Sequence, residues 1–240
     1  YQEAYASAER VFGLMDQSQR EEEDEDKLDL NVVDGVIEYD SVTFGYDEEP
    51  VVEDLSFTIG SKETLALAGP TGAGKSTVVK LLLRFYNTDE GEIRVDDQSI
   101  HNVNLKSLRS SIGYVSQDNV LFPESVQENI AYAVEDATEE DVVEAAKKAQ
   151  AHEFIQDLPE GYDSEVGEDG VKLSGGQRQR IGIARAILQD PEILILDEAT
   201  SDVDTETEIK IQKGIEELTQ DRTVLAIAHR LSTIKDADKI

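Results

Sequence analysis

The sequence has no cysteine. That excludes disulfides and a thiolate metal centre, and gives no support to an oxidising, extracellular setting. Basic clusters are missing too. Lysine and arginine number 22, only 12 of them lysine, and no basic run exceeds two residues. Against them stand 53 acids, for a formal charge of −31. So negative a surface repels nucleic-acid phosphates and anionic lipid head groups, so no nucleic-acid partner is expected. No apolar run approaches the ~20 residues that span a bilayer. The first residues are polar with helical spacing, unlike a secretory leader. As written, the chain is expected to be soluble.

What is present suits one large domain. The 240 residues, 39% hydrophobic, are enough to bury a sizeable core. Six acids in a row occupy 21–26, a small part of the 53. The others are spread along the chain. Scattered carboxylates with scarce lysine suit a surface adapted to high intracellular salt, where charge is screened within a few ångströms. A halophilic source is expected.

Hydrophobic spacing divides the chain. Ala4, Ala8, Val11, Phe12 and Met15 recur at helical spacing, and 16–31 read as an acidic, solvated linker. Residues 36–44 and 55–59 alternate like antiparallel strands with one wet face. Residues 65–68, 112–115, 193–196 and 224–228 are short continuous apolar runs, which suit strands buried on both faces. Helical patterns fill 75–85, 139–149, 176–188 and 205–218. Buried strands alternating with helices predict an α/β fold: a parallel core sheet, an antiparallel side sheet, and a mostly helical insertion over about 120–190. Asp238, Lys239 and Ile240 read as the start of another strand, so the unit 32–240 is expected to be cut at its C-terminal end.

Two motifs carry chemistry. Gly69-Pro70-Thr71-Gly72-Ala73-Gly74-Lys75-Ser76-Thr77 fits G-x-x-x-x-G-K-[ST], with a buried strand before it and a helix after it. Glycines let successive N–H groups point inward at a helix start, which binds phosphate. Lys75 is placed to reach the β- and γ-phosphates, and Ser76 to offer a hydroxyl to Mg²⁺. The second motif is the apolar run 193–196 followed by Asp197 and Glu198. A carboxylate at the end of a buried parallel strand faces the ligand crevice. Asp197 is expected to hold Mg²⁺ and Glu198 to polarise an attacking water.

Leu173-Ser174-Gly175-Gly176-Gln177 completes a set that resembles the nucleotide-binding domain of ATP-binding cassette (ABC) proteins, a P-loop NTPase core. A serine hydroxyl and glycine N–H groups at a helix start make a second anion site. The resemblance implies that this segment binds the γ-phosphate of ATP held by a second subunit, so that a head-to-tail dimer completes two sites. It further implies an adenine-stacking role for Tyr46, a contact from Gln117 to Mg²⁺ and the attacking water, and a γ-phosphate contact from His229. Asp204, ending Ser201-Asp202-Val203-Asp204, falls in the loop where the family makes its dimer contact. His101 and His152 match no family position and read as surface or structural residues.

Two features resemble exporters. Ala-Ser-Ala-Glu-Arg-Val-Phe at 6–12 is similar to the segment leaving the last membrane helix, and Glu165-Val166-Gly167-Glu168 to the loop before the signature. The family often carries a basic residue near Asp169, which is acidic here. The resemblance therefore implies an ATPase at the cytoplasmic face of the cell membrane, joined to a transmembrane domain and powering export. The alternatives are an importer's ATPase subunit or, further off, a soluble ABC ATPase of DNA repair or translation.

Overall fold

The computed structural model describes residues 27–47, 49–116, 119–167, 171–197, 204–228 and 237–240. The helix expected over 1–15 and the acid run at 21–26 lie outside the described residues. In chain order the elements are β1 (Ile37–Phe44), β2 (Val52–Ile59), β3 (Thr64–Leu67), α1 (Lys75–Leu82), β4 (Glu90–Val95) and β5 (Gln98–Ser99). There follow α2 (Leu105–Ser110), β6 (Ile112–Val115), α3 (Val126–Ala131), α4 (Glu139–Lys148) and α5 (His152–Gln156). The last are α6 (Gly175–Gln189), β7 (Ile193–Asp197), α7 (Thr205–Thr219) and β8 (Thr223–Ile227).

The antiparallel sheet has the order β2-β1-β4-β5. Along β1 the buried side chains switch parity, from Ile37 and Tyr39 to Val42 and Phe44. The register explains the switch. Tyr39 pairs with Phe57 but Val42 with Leu55, so β1 carries one extra residue, a bulge with Ser41 at φ 50°. On β4, Gly91 passes this bulge at φ 76°, where a Cβ would lie 2.3 Å from the Ser41 carbonyl oxygen. Sequence patterning does not announce β4, because Glu90-Gly91-Glu92 offers no apolar face.

The second sheet has the order β3-β8-β7-β6, and every pairing in it is parallel. Its strands read as unbroken apolar runs because they are covered on both sides. Ile193, Ile195, Leu225 and Ile227 pack with α1 and the antiparallel sheet. Leu194, Leu196, Val224 and Ala226 pack with α3, α4, α6 and α7. The fold is thus the expected α/β arrangement, with helices on both faces of a parallel sheet.

Two local devices hold the layers. Asn129, fully buried, sits under the connection between β6 and α3. Its Oδ1 accepts the Phe122 N–H (2.9 Å), its Nδ2 donates to the Phe122 and Ser125 carbonyls (both 3.0 Å), and Arg185 of α6 donates to its carbonyl oxygen (2.8 Å). Asn129→Ala strands the Phe122 N–H and carbonyl, while the Arg185 bond to the main-chain oxygen of residue 129 survives. It is expected to cost about 2–3 kcal/mol in urea unfolding; a loss within experimental error would show that the connection is held by packing alone.

At the entry to β1, the Asp96 carboxylate accepts the N–H groups of Val33, Asp34, Gly35 and Val36 at 2.7–3.1 Å. Burial pushes this carboxyl up, but the four donors outweigh it and hold it below the usual aspartate range. The folded form therefore favours the ionised group. Its contribution is complete above the unfolded value near ~3.9 and is lost as pH falls through the lower folded value. Asp96→Asn should lower stability at neutral pH. It should also flatten the acid limb below about pH 4 relative to the parent, measured as urea midpoint against pH. Parallel curves for the two proteins would refute the assignment.

Candidate active site

The four parallel strands end along one edge of their sheet, the side on which ligands bind in such folds. From that edge β3 runs into the exposed loop 68–73 and then α1. Gly74 makes the turn into α1 at φ 83°, where a Cβ would meet the Val51 carbonyl oxygen at 3.1 Å. No side chain caps α1, and no acid stands in its first turn. The contrast with helices α4 and α7 is informative in so acidic a chain. Helix α4 opens with Glu139, Glu140 and Asp141 under a Thr138 cap, and α7 carries Glu206 and Glu208 under Asp204. Those acids complement the helix dipole. Helix α1 has neither device at its start, which leaves its positive end without a side-chain partner of that kind.

The Lys75 ammonium donates to the carbonyl oxygens of Gly69 (2.8 Å) and Pro70 (2.9 Å), which hold it across the loop. Ser76 is exposed at the helix start, whereas Thr77 is buried. Asp197 ends β7, half-buried, in one lateral row with Ile227 of β8 and Leu67 of β3. Two strand spacings, about 10 Å, separate that row's ends. The Tyr114 hydroxyl donates to Asp197 Oδ2 at 3.5 Å. Burial first, and then the Asp197 charge, push this phenol up to about 12, so it remains a donor at neutral pH. Sequence reasoning missed Tyr114; the available signal was one phenol in the otherwise apolar 112–115 run.

Ser76 and Asp197 offer hard oxygen donors at the same edge, and such donors fit Mg²⁺. Among the described residues no group of three or more potential ligands could hold a metal ion. A cation bound through one or two protein oxygens and substrate phosphates is compatible with that.

The signature segment starts α6. Ser174 Oγ accepts the Gln177 N–H (3.2 Å), and Gln177 Oε1 accepts the Ser174 N–H (2.8 Å), a reciprocal cap. Capping and anion binding are compatible, because the capping oxygen accepts while its O–H is still able to donate. Ser174 and Gly175 are exposed, and no acid occupies this first turn either. Helices α1 and α6 pack on opposite faces of the sheet. The phosphate loop and the signature therefore start from different layers.

Tyr46 follows β1 with its ring 45% exposed, and its phenol oxygen lies 3.2 Å from the Thr77 hydroxyl. Asp204 caps α7, accepting the Glu206 and Thr207 N–H groups and the Thr207 hydroxyl. That hydroxyl, foremost, with the backbone donors holds its carboxyl below the usual range. Gln117, Asp169, Glu198, the residues 201–203 and His229 lie outside the described residues. The two other histidines have local partners: His152 Nδ1 pairs with the Tyr162 hydroxyl (2.8 Å) and His101 Nε2 with that of Thr88 (3.4 Å).

A phosphate loop and a carboxylate on one sheet edge, with a glycine-bearing helix start on the other layer, define a P-loop ATPase. The family model described as "ABC transporter" matches residues 52–201. The chain belongs to the ABC transporter family and carries its ATP-binding ATPase domain. It is 52% identical over 242 residues to the ATP-dependent lipid A-core flippase of Dechloromonas aromatica (strain RCB), covering 100% of this chain and 41% of the flippase. It is 47% identical over 240 residues to the heavy metal tolerance protein of Schizosaccharomyces pombe, covering 100% of this chain and 29% of that protein. Among solved structures, a bacterial Atm1-family ABC exporter with ATP bound superposes with a TM-score of 0.87 at 42% identity, over 99% of this chain and 42% of that one. The chain thus spans less than half the length of these relatives. No helix among the described residues is long and apolar enough to cross a membrane.

Proposed function

We propose that this chain works as the ATPase of an ABC exporter, in which two copies sandwich two ATP molecules. The observation that carries this reading is the pair of glycine-bearing, acid-free helix starts, α1 and α6, built on opposite faces of one sheet. Each copy then offers a phosphate loop in one site and a signature in the other. Tyr46 stacks on adenine. Residues Gly69 to Thr77 wrap the phosphates of one ATP, and the partner's Ser174 with its glycines donates to the γ-phosphate. Glu198 orients a water and accepts its proton during in-line attack on the γ-phosphorus, while ADP leaves. Lys75 and His229 hold the charge that builds on the transferred oxygens. Ser76, Asp197 and Gln117 would hold Mg²⁺, which neutralises phosphate charge when bound. Asp204 caps the helix beside the dimer-contact loop.

In the intact protein, ATP-driven closure and release would move a transmembrane domain that residues 1–31 lead from, at the cytoplasmic face of the cell membrane. Similarity to a lipid flippase and to an exporter favours export over import. The charge of −31 and the scarcity of lysine support work in high salt.

The test is gel filtration of the Glu198→Gln chain in molar salt, with and without ATP. A shift from monomer to dimer with ATP supports the sandwich. A monomer that binds ATP, shown by titration, would overturn it for this chain.

A further inference from the structure

Tyr46 stands half-exposed, yet its ring is held from several sides. Its phenol oxygen is within hydrogen-bonding distance of Thr77 in the first turn of α1. The Lys80 ammonium of the same helix stands over the ring, 5.8 Å from its centroid. Two further rings meet it nearly at right angles: Phe44 at 5.1 Å and 84°, and Tyr86 at 5.1 Å and 87°. Phe44 and Tyr86 also touch, with centroids 5.4 Å apart.

The two flanking rings differ in kind. Phe44 is buried and belongs to the core, which accounts for it without a ligand. Tyr86 is 42% exposed and lies outside both cores, in the turn that follows α1. Among the described residues its ring contacts are those with Phe44 and Tyr46. A large aromatic that adds little core burial, set edge-on against another exposed aromatic, stabilises that neighbour's orientation rather than the fold. Helix α1 thereby brackets the Tyr46 ring, with Thr77 near its start and Tyr86 just past its end. The element that presents Lys75 and Ser76 to the phosphates also sets where the ring stands.

We propose that Tyr86 is a positioning residue for the base platform. Its ring keeps Tyr46 in the orientation that accepts an adenine, so it contributes to affinity for a nucleotide and not for a bare polyphosphate. The proposal rests on the reading of Tyr46 as the adenine platform. An unsupported exposed ring must be ordered when the base arrives, and pre-ordering removes that cost.

The experiment compares equilibrium binding of ATP and of inorganic tripolyphosphate to the parent chain and to Tyr86→Ala, Tyr86→Phe and Tyr46→Ala. Tyr86→Ala is expected to weaken ATP binding about three- to tenfold, the scale of one edge-to-face pair, with tripolyphosphate affinity unmoved. Retained tripolyphosphate binding also reports an intact phosphate loop. Tyr86→Phe, which keeps the ring edge, should restore most of what alanine loses. Equal weakening of both ligands would make Tyr86 a structural residue and overturn the proposal, as would no weakening of either. Tyr46→Ala separates the two layers of the argument. If it weakens ATP alone while Tyr86→Ala does nothing, the platform stands and Tyr86 has no part in it. If it weakens neither ligand, the platform reading itself fails and takes the proposal with it.

Discussion

Lys75→Ala is expected to lose most of the chain's affinity for ATP. The parent ammonium is fixed across the phosphate loop by the Gly69 and Pro70 carbonyls, so it is already in place when a triphosphate arrives. Charge-assisted hydrogen bonds contribute about 1.5–3 kcal/mol each. Removing the lysine should therefore raise the dissociation constant roughly 10- to 150-fold. Titration calorimetry with the parent and the variant reads this directly. The change should be smaller for adenosine, which has no phosphates for the lysine to reach. The fold should be unaffected, because the loop is exposed and the Lys75 side chain lies outside both cores. Unchanged ATP affinity would remove the loop from nucleotide binding.

Glu198→Gln should separate binding from chemistry. The preceding residue, Asp197, ends the inner strand β7 at the ligand edge, next in sequence to Glu198. Glutamine keeps the size and an acceptor oxygen but cannot take up a proton at neutral pH. Loss of a positioned general base costs typically about 10²–10⁴-fold in rate. Steady-state hydrolysis should fall by that order, with the ATP dissociation constant within about twofold of the parent value. ATP-bound dimers should then persist, which is why this variant serves in the gel-filtration test. Rapid turnover by the variant would assign the proton to another group. A matched loss of ATP affinity would make Glu198 a binding residue instead.

Much of the candidate site is legible along the chain because its parts are contiguous. A phosphate loop is one stretch of backbone between a strand and a helix, and glycine spacing reports the backbone shape it needs. The same holds for the Asp197 strand end and for the signature at the start of α6. The double-faced strands were legible because burial on both sides leaves unbroken apolar runs, as in Ile193 to Leu196. Other features were hidden. Strand β4 opens with Glu90-Gly91-Glu92 and borrows its partner from β1, so no local periodicity marks it. The short helices α2, α3 and α5 have too few residues to show a 3.6-residue repeat.

The sequence by itself determined the class of chemistry, the strands buried on both faces, and a charge that disfavours nucleic acid. Tertiary structure alone decided which distant side chains stand together. Tyr114 reaches Asp197 across 83 positions because β6 and β7 are parallel neighbours in register. Tyr46 meets Thr77 and Tyr86 because the end of β1 lies over helix α1 and the turn after it. The Asp96 carboxylate collects four N–H groups from residues 33–36 because β1 and β4 pair antiparallel beside it. Such meetings depend on strand order and register, which are set by the sum of long-range pairings and which no local spacing encodes.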